Sequence, residues 1–486
     1  MLPTNKTTLD GKLKKNTDYI YQKLGLDVTF DIIIREFKIG NRKVAFAFID
    51  GLTDADQMLW IMKNVMSAEQ EEKTPITAEK IRLYMLPYGD IEKIHTLEDA
   101  VHEILTGKTV FLIDGEKEAI VLDIRKYPAR EPAEPEIEKI TRGSQDGFVE
   151  TLLFNVGLIR RRVRDPGLRT EVMQVGNRSR TDLSIVYIED AVNPELLDEV
   201  KKRLNNIDVD GIPMAERSLE EFITESNWHP FPEVRYTERA DVAAVHLFEG
   251  HICIVVDTSP SVMILPVTLF HHMQHAEEFR HTPLVGIFMR LVRMLGILIS
   301  VFLIPIWLLL AMNPDVLPEA LEFIGPEEEY TIPLFIQFIL ANIGLEMLRM
   351  ASIHVPSPFS TALGLVGALL IGEIAVEVGI FVPEVLLYVG ILAIGIFATP
   401  SWELGLANRF AHMFILILSG VLGIYGFVGG TLLVLFLLVK LKSFGLPYMW
   451  PLIPFNAKAL FGMLLRKPVT AKGKRQSFLD WAPFRK

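Results

Sequence analysis

The chain has one cysteine in 486 residues, so no intramolecular disulfide can hold it together. Cys253 sits in the apolar run HICIVV and reads as a buried thiol, since reactive thiols occupy exposed, electropositive surroundings. A basic excess is also missing: 49 Lys and Arg stand against 60 Asp and Glu. That balance argues against a nucleic-acid partner. There is no GxxxxGK loop, no GxGxxG and no GxSxG elbow, which removes the common phosphate-cradling and hydrolase signatures. The N-terminal stretch MLPTNKTTLDGKLKKNTDY has no apolar core of signal-peptide length. The leading domain is therefore expected to stay on the side of the membrane where it is made.

Long apolar runs are absent from the first 293 residues and then dominate the 147 residues from Met294 to Lys440. The charge divides in the same place. Before Met294 there are 37 Lys and Arg against 48 Asp and Glu; from Met294 onward there are 12 of each. The expected fold is a soluble α/β domain of two similar subdomains followed by an all-α polytopic membrane domain. Expected borders are 1–140 and 141–285 for the subdomains, 286–442 for the membrane domain and 443–486 for a basic tail.

Six apolar segments can be drawn at 294–312, 332–350, 361–382, 385–399, 407–424 and 427–440. A crossing needs about 20 residues, so the fourth and sixth are short and one can be re-entrant. The loop 313–331 holds six acids and no base, whereas the tail from Lys440 carries ten bases and one acid. Basic ends alternate with acidic or neutral ones, which predicts an even number of spans, six or else four, with both termini cytoplasmic.

The soluble part repeats a pattern. KVAFAFIDGLTDADQMLWIMKNV (43–65) and DLSIVYIEDAVNPELLDEVKKRL (182–204) each read as a strand, a turn and an amphipathic helix. Each is followed by a hairpin, one turning at Asp114–Gly115 and one near Asp257. These predict two similar subdomains at about 25–128 and 165–268, joined by the Pro- and Glu-rich stretch 128–147. FVETLLFNVGLIRRRVRD after it reads as a helix with a very basic end.

Polar residues inside a bilayer are expensive and are default functional candidates. Asn342, Glu346 and Arg349 recur at i, i+4, i+7 on one helix face. Pairing of Glu346 with Arg349 and a direct part in conduction or gating both fit. Gly364, Ala368 and Gly372 form a small-residue stripe suited to close helix packing. On the adjoining face Glu373 and Glu377 stand one turn apart, with Leu365 and Leu369 continuing that face as an apolar constriction. In a symmetric assembly such acids form rings of the kind that line cation pathways. The bland assignment pairs them with Arg349 or Arg409, or exposes them near a membrane surface. His271, His272, His275 and His281 have two members at metal-ligand spacing, yet the segment reads as a headgroup-level connector with Arg280 and Arg290 facing phosphates. No metal or cofactor is expected. The basic tail fits electrostatic contact with membrane lipid.

TRGSQDGFVETLLFNVGLIRRRVRDPGLR (141–169), NRSRTDLSIVYIED (177–190), ERADVAAVHLFEGHICIVVDTSPSVMILP (238–266), LEMLRMASIHVPSP (345–358), PSWELGLANR (400–409) and PYMWPLIPFNAKAL (447–460) resemble the A subunits of the spore germinant receptor (GerA) family. Nearly the whole chain is covered. The chain is most similar to a sporulation-stage branch of that family, and Met350 stands where the receptors carry an acid. The resemblance implies a two-part cytoplasmic domain before a helical membrane domain, in the spore inner membrane. It also implies a homo-oligomeric ion channel, pentameric as in the receptors, with a small membrane protein of the germination machinery as partner. It does not carry amino-acid binding over, because nutrient sensing rests largely on a separate subunit. An ion- or proton-coupled carrier using Glu346, Arg349, Glu373 and Glu377, and a non-conducting scaffold, are the competing functions; no enzyme is expected.

Overall fold

In each half of the soluble part, short apolar runs build a five-stranded antiparallel sheet. The computed structural model describes residues 7–67, 77–80, 91–126, 143–224, 228–313, 325–326, 330–354, 364, 367 and 372–465. The first sheet comprises β1 (Ile32–Ile39), β2 (Arg42–Ile49), β3 (Ile91–Ile94), β4 (Thr109–Ile113) and β5 (Ala119–Leu122), in the spatial order β1-β2-β4-β5-β3. The second comprises β6 (Leu168–Val175), β7 (Thr181–Ile188), β8 (Arg235–Thr237), β9 (Ile252–Val256) and β10 (Val262–Leu265), in the order β6-β7-β9-β10-β8. The two orders are the same, so the repeated pattern of the sequence is a repeated topology. The expected hairpins are β4–β5, with Gly115 at φ 88°, and β9–β10. A residue with a Cβ would be strained at that φ.

Both faces of the first sheet are covered, which explains why KVAFAFI is apolar almost throughout. Ala45, Ala47 and Ile49 face the helices Leu13–Leu24 and Leu97–Leu105, through Ile20, Leu24, Val101 and Ile104. Val44 and Phe46 face Met58, Ile61 and Val65 of the helix Ala55–Ser67, with Phe46 stacked on Phe111 at 4.4 Å between ring centres. Helix ends follow local chemistry. Thr96 caps its helix through Asp99 N at 3.2 Å, and Asn193 with Pro194 opens the helix Pro194–Asn205.

The basic helix end has a specific use. Arg160 closes the helix Leu152–Arg162 and is fully buried. Its Nε and Nη2 donate to Asp31 Oδ2 and Oδ1 at 3.0 and 2.7 Å, ahead of β1. Thr170 Oγ1 on β6 donates to Asp31 Oδ1 at 2.6 Å, and Phe30 N donates to Thr170 O at 3.2 Å. A charged group from each half is thus locked at their shared seam.

Of the described residues, 7–224 and 234–266 form one compact unit, and 228–233 with 267–465 form a second. The main stretch of the second unit runs from Val267, where the sequence suggests a border at 286, and takes in 443–465. Ser443 is the physical reason: its buried hydroxyl donates to Glu233 O at 2.6 Å and accepts from Val267 N at 3.0 Å. Burial, together with the acids Glu233 and Glu403, holds the Tyr448 hydroxyl well above the usual tyrosine range.

Among the described residues, three helices of this unit are long and apolar enough to cross a membrane: Pro283–Met312, Leu334–Ala351 and Trp402–Lys440. The helix Pro383–Phe397 has 15 residues, about 22 Å, less than the hydrocarbon thickness. The fifth and sixth apolar segments of the sequence lie on Trp402–Lys440, which breaks at Gly423 (φ 59°, ψ −138°). The arms fold back on each other. A Cβ on Gly426 would strike Leu418 O, and one on Gly430 would lie 3.5 Å from Ile415 Cα. The GFVGG stretch is therefore the seam of a helical hairpin.

Candidate functional site in the membrane unit

The two acids singled out by the sequence lie just before a tight helix end. Gly372–Ile374 form a wide π-type turn that runs into the α-helical turn Ala375–Glu377. Single π-type turns recur at functional positions because they re-aim side chains. Gly379 (φ 77°) ends the helix: its N donates to Val376 O, and Ile380 N to Ala375 O, both at 2.9 Å. Pro383 then opens the next helix, and Val382 N is held at 2.8 Å by the Oε1 of buried Gln337. Gln337 Nε2 also donates to Ile332 O at 2.8 Å, so one amide fixes two helix starts.

This frame sets which way the acids point. Ala375 is buried in the membrane-unit core with Phe381, Val382 and Val385. Glu373 and Glu377 are on the exposed side, among the exposed apolar residues Ile374, Val378 and Ile380. Among the described residues neither acid has an ion-pair partner. Leu365, Ala368 and Leu369 lie outside the described residues.

Arg349 and Arg409, the bases available by sequence to those acids, are both held by Glu346. Arg349 Nε donates to Glu346 Oε1 at 3.0 Å, and Arg409 Nη1 pairs with Glu346 Oε2. The Arg349 guanidinium also lies over the Trp402 ring, 5.0 Å from its centre. Asn342, on the same helix, donates instead to Phe338 O at 2.9 Å within its own backbone. The expected polar face thus separates into a satisfied amide and a charged cluster. Met350 is exposed beside them and adds no charge.

Close helix packing occurs at other glycines than the sequence stripe. A Cβ on Gly395 would sit 2.5 Å from Gly296 O, so the helices Pro283–Met312 and Pro383–Phe397 cross there backbone to backbone. A Cβ on Gly420 would strike the Phe335 ring, and one on Gly367 would be 3.0 Å from Leu348. Gly364 and Gly372 have no atom within 4 Å of a built Cβ. Among the described residues neither of these two glycines is packed against another helix.

The histidine segment is a connector in which His271, His272, Glu277 and Glu278 are buried while Arg280 and His281 are exposed. His271 Nδ1 caps Thr268 N at 3.0 Å, His272 Nδ1 meets Ser401 Oγ at 3.2 Å, and His281 meets Glu277 at 3.2 Å. Arg290 was expected to face phosphates; instead it is buried, with Nε on Glu278 Oε2 at 2.7 Å. The reason is Glu278, a fully buried acid that also holds Arg293 and needs both. Among the described residues no group of His, Cys, Asp or Glu has the arrangement of a metal site. Sequence patterning missed Gln337, Glu278 and the buried His412, whose Nδ1 meets Val301 O at 3.2 Å. Each partner lies on a different segment, so no spacing rule marks it.

The family model of Bacillus/Clostridium GerA spore germination proteins matches residues 18–478. Stage V sporulation protein AF of Bacillus subtilis (strain 168) is 45% identical over 452 residues, 93% of this chain and 92% of that one. Spore germination protein KA of the same organism is 30% identical over 451 residues, 92% of this chain and 83% of that one. The solved N-terminal domain of the A subunit of the Bacillus megaterium spore germinant receptor GerK3 aligns with 54% of this chain and 98% of its own. That alignment has 26% identity and a TM-score of 0.43.

Proposed function

This chain belongs to the GerA spore germination protein family, and on that premise we propose that it is the membrane subunit of a homo-oligomeric ion channel that promotes spore germination. Its relatives bear the names of germination and sporulation proteins, which supports the germination role. The observation that carries the channel assignment is the exposed Glu373–Glu377 pair on an otherwise apolar surface, without an ion-pair partner among the described residues. An ionised carboxylate facing lipid is costly, so this face calls for water, a cation or a second copy of the chain. Copies arranged about an axis turn each acid into a ring, which concentrates cations along the axis. Gly364 and Gly372, which meet no other atom among the described residues, leave room for a neighbouring copy beside that face. The assembly is a pentamer in the spore inner membrane, with the soluble unit and tail on the core side and a small membrane protein as partner.

The test is cation flux, as current in planar bilayers or ion release from spores, at matched protein levels. Glu373→Gln and Glu377→Gln should each lower flux, and the double variant should lower it about tenfold, less than the product of the two. A carrier would give flux without single-channel steps. A scaffold would leave germination intact in the double variant, and unchanged cation flux there would refute the assignment.

A further inference from the structure

After Lys442 the chain carries a single charge, Lys458, as far as residue 465. So little charge suits an aqueous tail poorly. The stretch cannot cross a bilayer as a helix either, because Pro447, Pro451 and Pro454 interrupt it. Its helix, Ala457–Leu464, has eight residues, about 12 Å. The turns before that helix use their own backbone groups. Leu452 N donates to Met449 O at 2.8 Å, Asn456 N to Pro451 O at 2.9 Å, and Asn456 Oδ1 caps Ala459 N at 3.1 Å. Backbone satisfied in this way can face lipid. The apolar side chains are turned outward: Phe455 is 70% exposed and Phe461 60%, and Leu465 is exposed as well. Arg290 donates to Met463 O, which sets the end of this helix beside the third turn of Pro283–Met312. On that longer helix Leu284, Phe288, Leu291, Leu295 and Leu298 recur at steps of four and three, and all are exposed. They make one apolar stripe that starts about 15 Å before Met294. Arg290 and Arg293 fall within its length but off its line, since both turn to the buried Glu278. The lipid-facing side of the longer helix therefore begins at Leu284, and Ala457–Leu464 lies alongside it.

We propose that Pro451–Leu465 is seated in the bilayer leaflet entered by Pro283–Met312, with Phe455, Phe461 and Leu465 against phospholipid acyl chains. The segment is an interfacial anchor rather than the start of an aqueous tail. Three observations on the page name lipid as the occupant. The exposed face continues the lipid-facing stripe of a helix apolar enough to cross the membrane. Its turns take up their own backbone groups, which water would otherwise do. Charge returns at Arg466 and Lys467, where the chain leaves the apolar layer and meets anionic headgroups. The seat uses no residue of the Glu373–Glu377 face, so its failure would leave the channel assignment standing.

The test uses the full-length chain with Cys253→Ser, carrying one new cysteine labelled with bimane. It is reconstituted in vesicles of phosphatidylcholine and phosphatidylglycerol. Phe461→Cys is the reporter, and Phe455→Cys replaces it if the first variant does not fold. Leu298→Cys is the reference for a site deep in lipid, and Lys38→Cys, on the exposed side of β1, for a site in water. Each sample is read with nitroxide-bearing phosphatidylcholine, the nitroxide near the headgroup or near the chain end, and separately with aqueous iodide. The reporter should lose about half or more of its fluorescence to the shallow nitroxide and less to the deep one, since an interfacial helix sits about 5–10 Å into the headgroup and acyl boundary. Leu298→Cys should show the reverse order, and Lys38→Cys should respond to iodide alone. A reporter that behaves like Lys38→Cys places the segment in water and overturns the proposal. One that responds to neither quencher is covered by protein, either a second copy or residues 466–486, and overturns it equally.

Discussion

Substituting Asp31 tests how the two halves of the soluble unit are joined. Asp31 is 1% exposed and Arg160 is fully buried, so solvent screening takes almost nothing from their interaction. Asp31→Asn keeps the shape and removes the charge. It strands the Arg160 guanidinium, and it takes the ionised acceptor from Thr170 Oγ1. Removing one partner of a buried pair costs about 3–5 kcal/mol. For a unit of this size, about 2–4 °C is lost per kcal/mol, so the midpoint should fall by about 6–20 °C. The assay is thermal unfolding of the full chain in detergent, with hydrogen exchange on β1 and on Leu152–Arg162 to localise the loss. The double variant Asp31→Leu, Arg160→Met should recover most of it, because two apolar groups leave no unpaired charge. A fall under about 2 °C for Asp31→Asn, or a double variant as unstable as the sum of the singles, would refute the reasoning.

Two further outcomes are expected. Burial in the second sheet pushes His251 down to about 4, against about 6.5 in the unfolded chain. The folded unit binds fewer protons between those values, so stability present above pH ~6.5 is lost as pH falls toward ~4, by at most about 3 kcal/mol. Glu249, pushed up to about 7 by burial, works in the opposite sense. The difference between wild type and His251→Asn across that window isolates the histidine, and an unchanged acid slope in the variant would exclude it. For the hairpin, cysteines placed at Ile415 and Gly430 in a Cys253→Ser background should cross-link under mild oxidation. In a straight helix they would be about 22 Å apart, so absence of the cross-link means the arms do not fold back.

Much of the architecture was legible because it rests on local periodicity. Short, nearly continuous apolar runs in KVAFAFI and DLSIVYI marked strands, the Asp114–Gly115 pair marked a hairpin, and the repeated order of these signals foretold two similar subdomains, which are two sheets of one topology. Glu373 and Glu377 were found the same way, since two acids in an apolar run are visible to any hydropathy count. Gln337 was not, because its value lies in reaching Val382 N, 45 residues away. Glu278 was hidden for a similar reason: a surface-like acid in a His-rich connector is buried only because Arg290 and Arg293 come to it.

The division between soluble and membrane parts, the repeat and the candidate acids were determined by the sequence alone, through transfer free energy and side-chain periodicity, which depend on near neighbours. Three matters were decided only by tertiary structure. Arg349 and Arg409 converge on Glu346, and among the described residues Glu373 and Glu377 have no base beside them. Gly296 and Gly395 bring two helices into backbone contact. Arg160 reaches Asp31 across 129 residues of chain. In each case several partners were chemically equivalent along the sequence. The choice among them belongs to the packing, because a buried charge or a bare backbone is stabilised by whichever group the fold brings within about 3 Å.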